Sequence, residues 1–212
     1  RVVRPCCNLS PTVKLSAMGL SSGILGLVFA LAQHDLKRLL AYSSVENIGI
    51  IALGLGIGLL GLSTGHATIG LLGIGGALLH MLNHSIFKSL LFLGAGAVLH
   101  ATGTRKLDEL GGLLKQMPWT GIVFCTGATA ICGLPPLNGF VGEWLIYAGA
   151  FHGLLSLATQ DTMWFVLAIA GLAFIGGLAV ACFTRAFGAV FLGASRQPRQ
   201  PIPHESEPMM LI

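Results

Sequence analysis

Residues 67–99 run for 33 positions with one charged side chain, Lys88, and two histidines, His80 and His84. As a helix this stretch is roughly 50 Å long, more than a straight crossing of a roughly 30 Å hydrocarbon layer needs. A tilt, or a bend near Gly73, Gly75 and Gly76, would accommodate it. Residues 15–33, 45–60, 119–157 and 164–192 are apolar over similar lengths, and no soluble core could absorb five such segments. Charged residues make up 9% of the chain, far below the roughly 25% of a soluble domain. The expected fold is therefore all-α, a polytopic transmembrane helix bundle. The net charge of +4 is small and sits in loops, so nucleic-acid binding is not indicated.

Steps of four residues drift only about 40° around a helix, so His80, His84 and Lys88 form one polar stripe roughly 12 Å long. An ionisable group at membrane depth costs on the order of 3 kcal/mol, and such groups normally face a bundle interior or a wet cavity along a transport path. The alternative is a pair of satisfied core histidines beside a lysine that snorkels to the interface. His-xxx-His is also a metal-ligand spacing. A cation one turn further on, with no cysteine or carboxylate in the same helix, argues against a metal there, and no cofactor is expected.

The segment 119–157 is interrupted by Gly133-Leu-Pro-Pro-Leu-Asn-Gly139. Pro135 and Pro136 cannot continue a helix, and Pro136 steers its predecessor toward extended backbone. Unwound backbone at membrane depth is tolerated where it is buried in protein or lines a cavity. Gly133, Pro135, Pro136 and Gly139 thus mark a broken helix, the device that sets half-helix dipoles beside transported ions. Glu143 follows four residues later. It reads either as an anion on the backbone donors of the second half-helix or as a proton-carrying carboxylate. A second glycine pattern, Gly56-Ile-Gly-Leu-Leu-Gly61, matches a dinucleotide fingerprint only on paper: no strand precedes it and no acidic ribose partner follows. Close helix packing is its expected use.

Lys and Arg collect on the cytoplasmic side of membrane proteins. With five spans, the fourth of them broken, Lys37 and Arg38, then Arg105, Lys106 and Lys115, then Arg196 and Arg199 fall on one side, while the loops near Ser63 and Asp161 carry none. Arg1, Arg4 and Lys14 fall on the other side. Together with the lack of an initiating Met, this predicts a fragment: an irregular basic start over 1–14, a transmembrane domain over 15–193, and a Pro-rich loop over 194–212 leading to further helices. Cys6, Cys7, Cys125, Cys132 and Cys182 show no ligand spacing and read as small apolar fillers.

Three stretches, Ala32-Gln-His-Asp-Leu-Lys-Arg-Leu-Leu-Ala-Tyr-Ser43, His80-Met-Leu-Asn-His-Ser-Ile-Phe-Lys-Ser-Leu-Leu-Phe-Leu-Gly94 and Leu134-Pro-Pro-Leu-Asn-Gly-Phe-Val-Gly-Glu143, resemble the antiporter-like proton-pumping subunits of respiratory complex I and its relatives. Val45-Glu-Asn47 is more similar to the branch formed by the large membrane subunits of hydrogenase-4 and formate hydrogenlyase. The resemblance implies two inverted five-helix repeats, each with a broken helix, and a line of protonatable groups along the membrane midplane. This chain would be the second repeat. His80, His84 and Lys88 would be its linking element, Glu143 the carboxylate on its broken helix, and Glu46, Lys37 and Arg185 accessory charges.

The function so implied is proton translocation driven by redox chemistry in other subunits, with no redox site in this chain. Burial disfavours the charged form of any group, so a neighbouring charge can decide which member of such a line holds a proton, and histidines titrate near neutrality. The implied partners are other membrane subunits of a hydrogenase or complex I-like assembly, the lipid bilayer and protons, in a bacterial inner membrane. A multi-subunit cation/proton antiporter and a non-conducting structural bundle are the alternatives.

Overall fold

The computed structural model describes residues 10–156, 162–196 and 203–205. Arg1, Arg4, Cys6, Cys7, Asp161 and Arg199 lie outside the described residues, as do Leu157 and most of the Pro-rich tail. The described chain forms α1 (Pro11–Leu31), α2 (Leu36–Ser63), α3 (Ala67–Thr102), α4 (Pro118–Ile131), α5 (Asn138–Ser156) and α6 (Thr162–Phe191), with a short 3₁₀ turn at Leu113–Lys115. Of these, α1, α2, α3 and α6 are long and apolar enough to cross a membrane. Large apolar side chains such as Leu71, Leu82, Phe151 and Phe174 point outward, as expected of a bundle whose solvent is lipid.

Two helices begin earlier than the apolar pattern suggests. Residues 11–14 are not irregular: α1 starts at Pro11, where proline's missing N–H costs nothing, and Ser10 accepts a hydrogen bond from the Val13 N–H at 3.4 Å. In α2, the charged stretch 34–38 is a helix start rather than a loop. Asp35 Oδ1 accepts from the N–H groups of Lys37 at 3.0 Å and Arg38 at 3.1 Å, satisfying donors that a helix start otherwise leaves bare. The extra turns carry Ser43, Glu46 and Asn47 from the edge of a span into its interior. Helix α3 runs unbroken through Gly73, Gly75 and Gly76.

The first three helices pack backbone to backbone. A Cβ on Gly19 would lie 2.6 Å from the Gly49 carbonyl oxygen, and one on Gly58 would lie 2.7 Å from the Ile74 nitrogen. The Gly56–Gly61 pattern therefore serves helix contact, Gly56 against α1 and Gly58 and Gly61 against α3.

At one end of the bundle the basic loops meet. Arg105 pairs with Asp35 at 2.5 Å, and Leu36 N–H donates to the Arg105 carbonyl at 2.9 Å. Arg196 donates to the Leu107 carbonyl at 2.9 Å. Glu205 reaches the start of α4 across more than eighty residues of chain, accepting from the N–H groups of Trp119 at 3.0 Å and Thr120 at 3.2 Å and from the Thr120 hydroxyl. Helix α4 has no side-chain cap from its own N-cap residue, Met117, so the tail carboxylate takes that place.

Candidate functional site

The polar stripe of α3 faces inward, onto α2. Lys88 is only 7% exposed, and its Nζ donates to the Ser43 hydroxyl at 2.6 Å. The Ser43 hydroxyl in turn donates to the Leu40 carbonyl at 3.0 Å. A lysine so held is not snorkelling. One turn along α2, Asn47 meets His80, with Asn47 Oδ1 3.1 Å from His80 Nε2. The Asn47 amide nitrogen donates to the Ser43 carbonyl at 2.9 Å and to Glu46 Oε2 at 3.2 Å. Glu46, 1% exposed, is thereby built into the same buried cluster.

Glu46 and Lys88 make no ion pair within 4 Å, yet Lys88 and Glu143 both lie close enough to act on the Glu46 carboxylate electrostatically. His84, half-buried, stands between the other two members of the stripe. Its ring packs edge-on against Phe87 at 5.6 Å between centroids, and the His80 ring does so at 6.4 Å. Two ring nitrogens, His80 Nδ1 and His84 Nε2, are buried and, among the described residues, without a hydrogen-bond partner. Gly139 at the start of α5 lies close enough for its backbone to act on the His80 ring.

The broken helix lies against this cluster. Helix α4 stops at Ile131 and α5 starts at Asn138. Pro135 and Pro136 lie in a turn, joined by a cis peptide bond, where restriction by Pro136 alone would give extended backbone. The Leu137 N–H closes that turn onto the Leu134 carbonyl at 3.1 Å. Asn83 on α3 ties the break in place: its amide donates to the Asn138 carbonyl at 2.8 Å.

Gly133 has φ +62°, a left-handed conformation that disfavours side chains. A Cβ there would also lie 2.6 Å from Glu143 Oε2. The turn calls for glycine, and its missing Cβ leaves the Glu143 carboxylate where it lies. Glu143 is half-buried and, among the described residues, has no hydrogen-bond or ion-pair partner, so it does not cap the second half-helix. It borders a cavity of about 470 Å³ lined by Trp144, Tyr147, Gly176 and Gly177, among others.

His80, Lys88 and Glu46 are thus brought together, with His84 beside them and Glu143 at the flank. Lys37 and Arg185 are not part of the cluster. Lys37 lies in the first turn of α2 at the loop end. Arg185 is exposed, and its guanidinium donates to the Leu31 carbonyl, one of the bare acceptors at the end of α1. Ser43, Asn47, Asn83 and Asn138 carry the cluster's hydrogen bonds and escape a reading that looks for charge. Their signal is amide and hydroxyl groups at helical spacing inside apolar runs.

The helices and their buried charges define a polytopic membrane protein. A family model described as NADH:quinone oxidoreductase/Mrp antiporter, TM matches residues 9–176, and the chain belongs to that family. Hydrogenase-4 component B of Escherichia coli (strain K12) is 41% identical over 204 residues, covering 94% of this chain and 30% of that protein. Formate hydrogenlyase subunit 3 of the same organism is 46% identical over 184 residues, covering 87% of this chain and 30% of that protein. Among solved structures, the membrane-bound sulfane sulfur reductase, an archaeal respiratory membrane complex, superposes with a TM-score of 0.76 at 26% identity, over 94% of this chain and 30% of that one. The chain spans 30% of the length of these curated relatives.

Proposed function

We propose that this chain is the proton-translocating part of a membrane subunit in a redox-driven complex of the hydrogenase, formate hydrogenlyase or quinone oxidoreductase kind, in a bacterial cytoplasmic membrane. The observation that carries this reading is the continuous buried cluster His80, Asn47, Glu46, Ser43 and Lys88, flanked by Glu143 at a helix break. Each ionisable member costs on the order of 3 kcal/mol at membrane depth, and a bundle that only needed packing would be more stable without them. Redox chemistry in partner subunits would change a charge near one end of the line. Because neighbouring charges set which member holds a proton, that change would travel through Lys88 and Glu46 to Glu143. The α4–α5 pair counts as one broken span, giving five spans and the geometry of one inverted repeat.

The family also contains Mrp antiporters, which makes cation/proton exchange the second reading. Both readings use Lys88. The test is Lys88→Ala in the full-length assembled complex, measured as protons moved per turnover in proteoliposomes. The expected result is a loss of about tenfold or more, equivalent to about 1.4 kcal/mol on the transfer barrier. Normal pumping at normal assembly would remove Lys88 from the path. Sodium dependence of any transport in the same vesicles would favour the antiporter reading.

A further inference from the structure

Within the proposed relay, on which this inference rests, we infer that Asn47 is a positioning residue that fixes the tautomer of His80, leaving Nδ1 as its only proton-accepting atom. Asn47 donates to two acceptors, the Ser43 carbonyl at 2.9 Å and Glu46 Oε2 at 3.2 Å. Turned the other way, it would set its oxygen against both of them, so the amide has one tenable orientation. That orientation aims Oδ1, which can only accept, at His80 Nε2, 3.1 Å away. The ring nitrogen facing it must carry the hydrogen.

In a neutral imidazole the other nitrogen then holds the lone pair. Here that atom is Nδ1, buried and, among the described residues, without a hydrogen-bond partner. A buried acceptor left bare is normally costly, and this one belongs to a residue packed against Gly142, in the first turns after the helix break.

The proton traffic follows from the geometry. A proton delivered by the His84 ring or by a water forms an N–H bond at Nδ1 and makes the ring cationic, while Nε2–H stays on Asn47. The same Nδ1–H bond breaks when the proton leaves. An amide oxygen is too weak a base to take the Nε2 proton onward, so His80 does not hand protons to Glu46 through Asn47. It is a charge-storing station on the α5 side of the cluster, and the transfer to Glu46 belongs to the Lys88 side.

The test is solid-state NMR of the full-length complex in lipid, with ¹³C,¹⁵N-labelled histidine, at about pH 8, above the ordinary histidine range. His80 is assigned by the signal lost in His80→Gln. The wild type should show a neutral ring with hydrogen on Nε2 and a bare Nδ1, and Asn47→Leu should replace that single signal with a mixture of both tautomers. Hydrogen on Nδ1 or a doubly protonated ring in the wild type overturns the inference. So does an Asn47→Leu ring that stays wholly Nε2–H. If Asn47→Leu does not assemble, Asn47→Ala, which removes the same acceptor with a smaller side chain, is read in its place against the same two outcomes. A tautomer shift accompanied by normal pumping upholds the assignment while taking His80 out of the conducted path, so the two failures are distinguishable.

Discussion

The α2–α3 interface and the α4–α5–α6 side treat the same problem, an ionisable group inside an apolar bundle, in opposite ways. Between α2 and α3, helices in close contact through glycines hold Lys88 on Ser43, His80 on Asn47 and Glu46 on Asn47, with Lys88 and Glu46 nearly sealed from solvent. On the other side the chain breaks, Glu143 has no partner among the described residues, and about 470 Å³ of space opens beside it. A packed, bonded group can hold a charge state but has little room to exchange protons with water. A carboxylate at a cavity has that room and few contacts that favour one charge state. Under the proposed relay this contrast would be a division of labour, the first region storing and ordering charge and the second exchanging it.

The strongest way to break this contrast is to close the gap at the helix break. A Cβ on Gly139 would run into the Ala130 carbonyl oxygen, whereas Gly176 and Gly177 have nothing within 4 Å of theirs. Gly139→Ala should displace the two half-helices and cost on the order of 3 kcal/mol, seen as loss of assembled complex on a native gel. Gly176→Ala should assemble and pump normally, although it lines the same cavity as Glu143.

The sealed region is tested by Glu46→Gln. Glutamine keeps an oxygen for the Asn47 amide but cannot ionise, so assembly should be unchanged while protons moved per turnover fall about tenfold. Unchanged pumping would mean that the line bypasses Glu46 and that α2 only positions its neighbours.

The smallest effect concerns the tail. Glu205→Gln weakens the anionic cap on the three donors at the start of α4. The expected cost is about 1 kcal/mol, a few degrees in the thermal midpoint of the purified complex, with transport per turnover unaffected.

Much of this contrast is legible in the amino-acid order. Apolar length announces the spans, two prolines between glycines announce the break, and a period of four places His80, His84 and Lys88 on one face. Glu46 is harder to read. Lys37 and Arg38 look like loop, which sets Glu46 at the edge of a span. The cue that corrects this is Asp35 as an N-cap, which begins the helix at Leu36 and carries Glu46 about three turns inside. Arg185 on the Leu31 carbonyl and Glu205 on α4 are contacts between distant parts of the chain, and no local pattern encodes them. Asn47 and Asn83 are missed for a different reason: uncharged amides in an apolar helix look like packing until their partners are known.

The division of labour stands or falls on Glu143. In the assembled full-length complex, Glu143→Gln keeps the side chain's shape beside Gly133 and the cavity but removes its exchangeable charge. Proton translocation coupled to substrate turnover in proteoliposomes should be abolished or fall at least about tenfold, with subunit assembly intact. Wild-type pumping by Glu143→Gln would contradict the account and place the exchange with water elsewhere in the bundle.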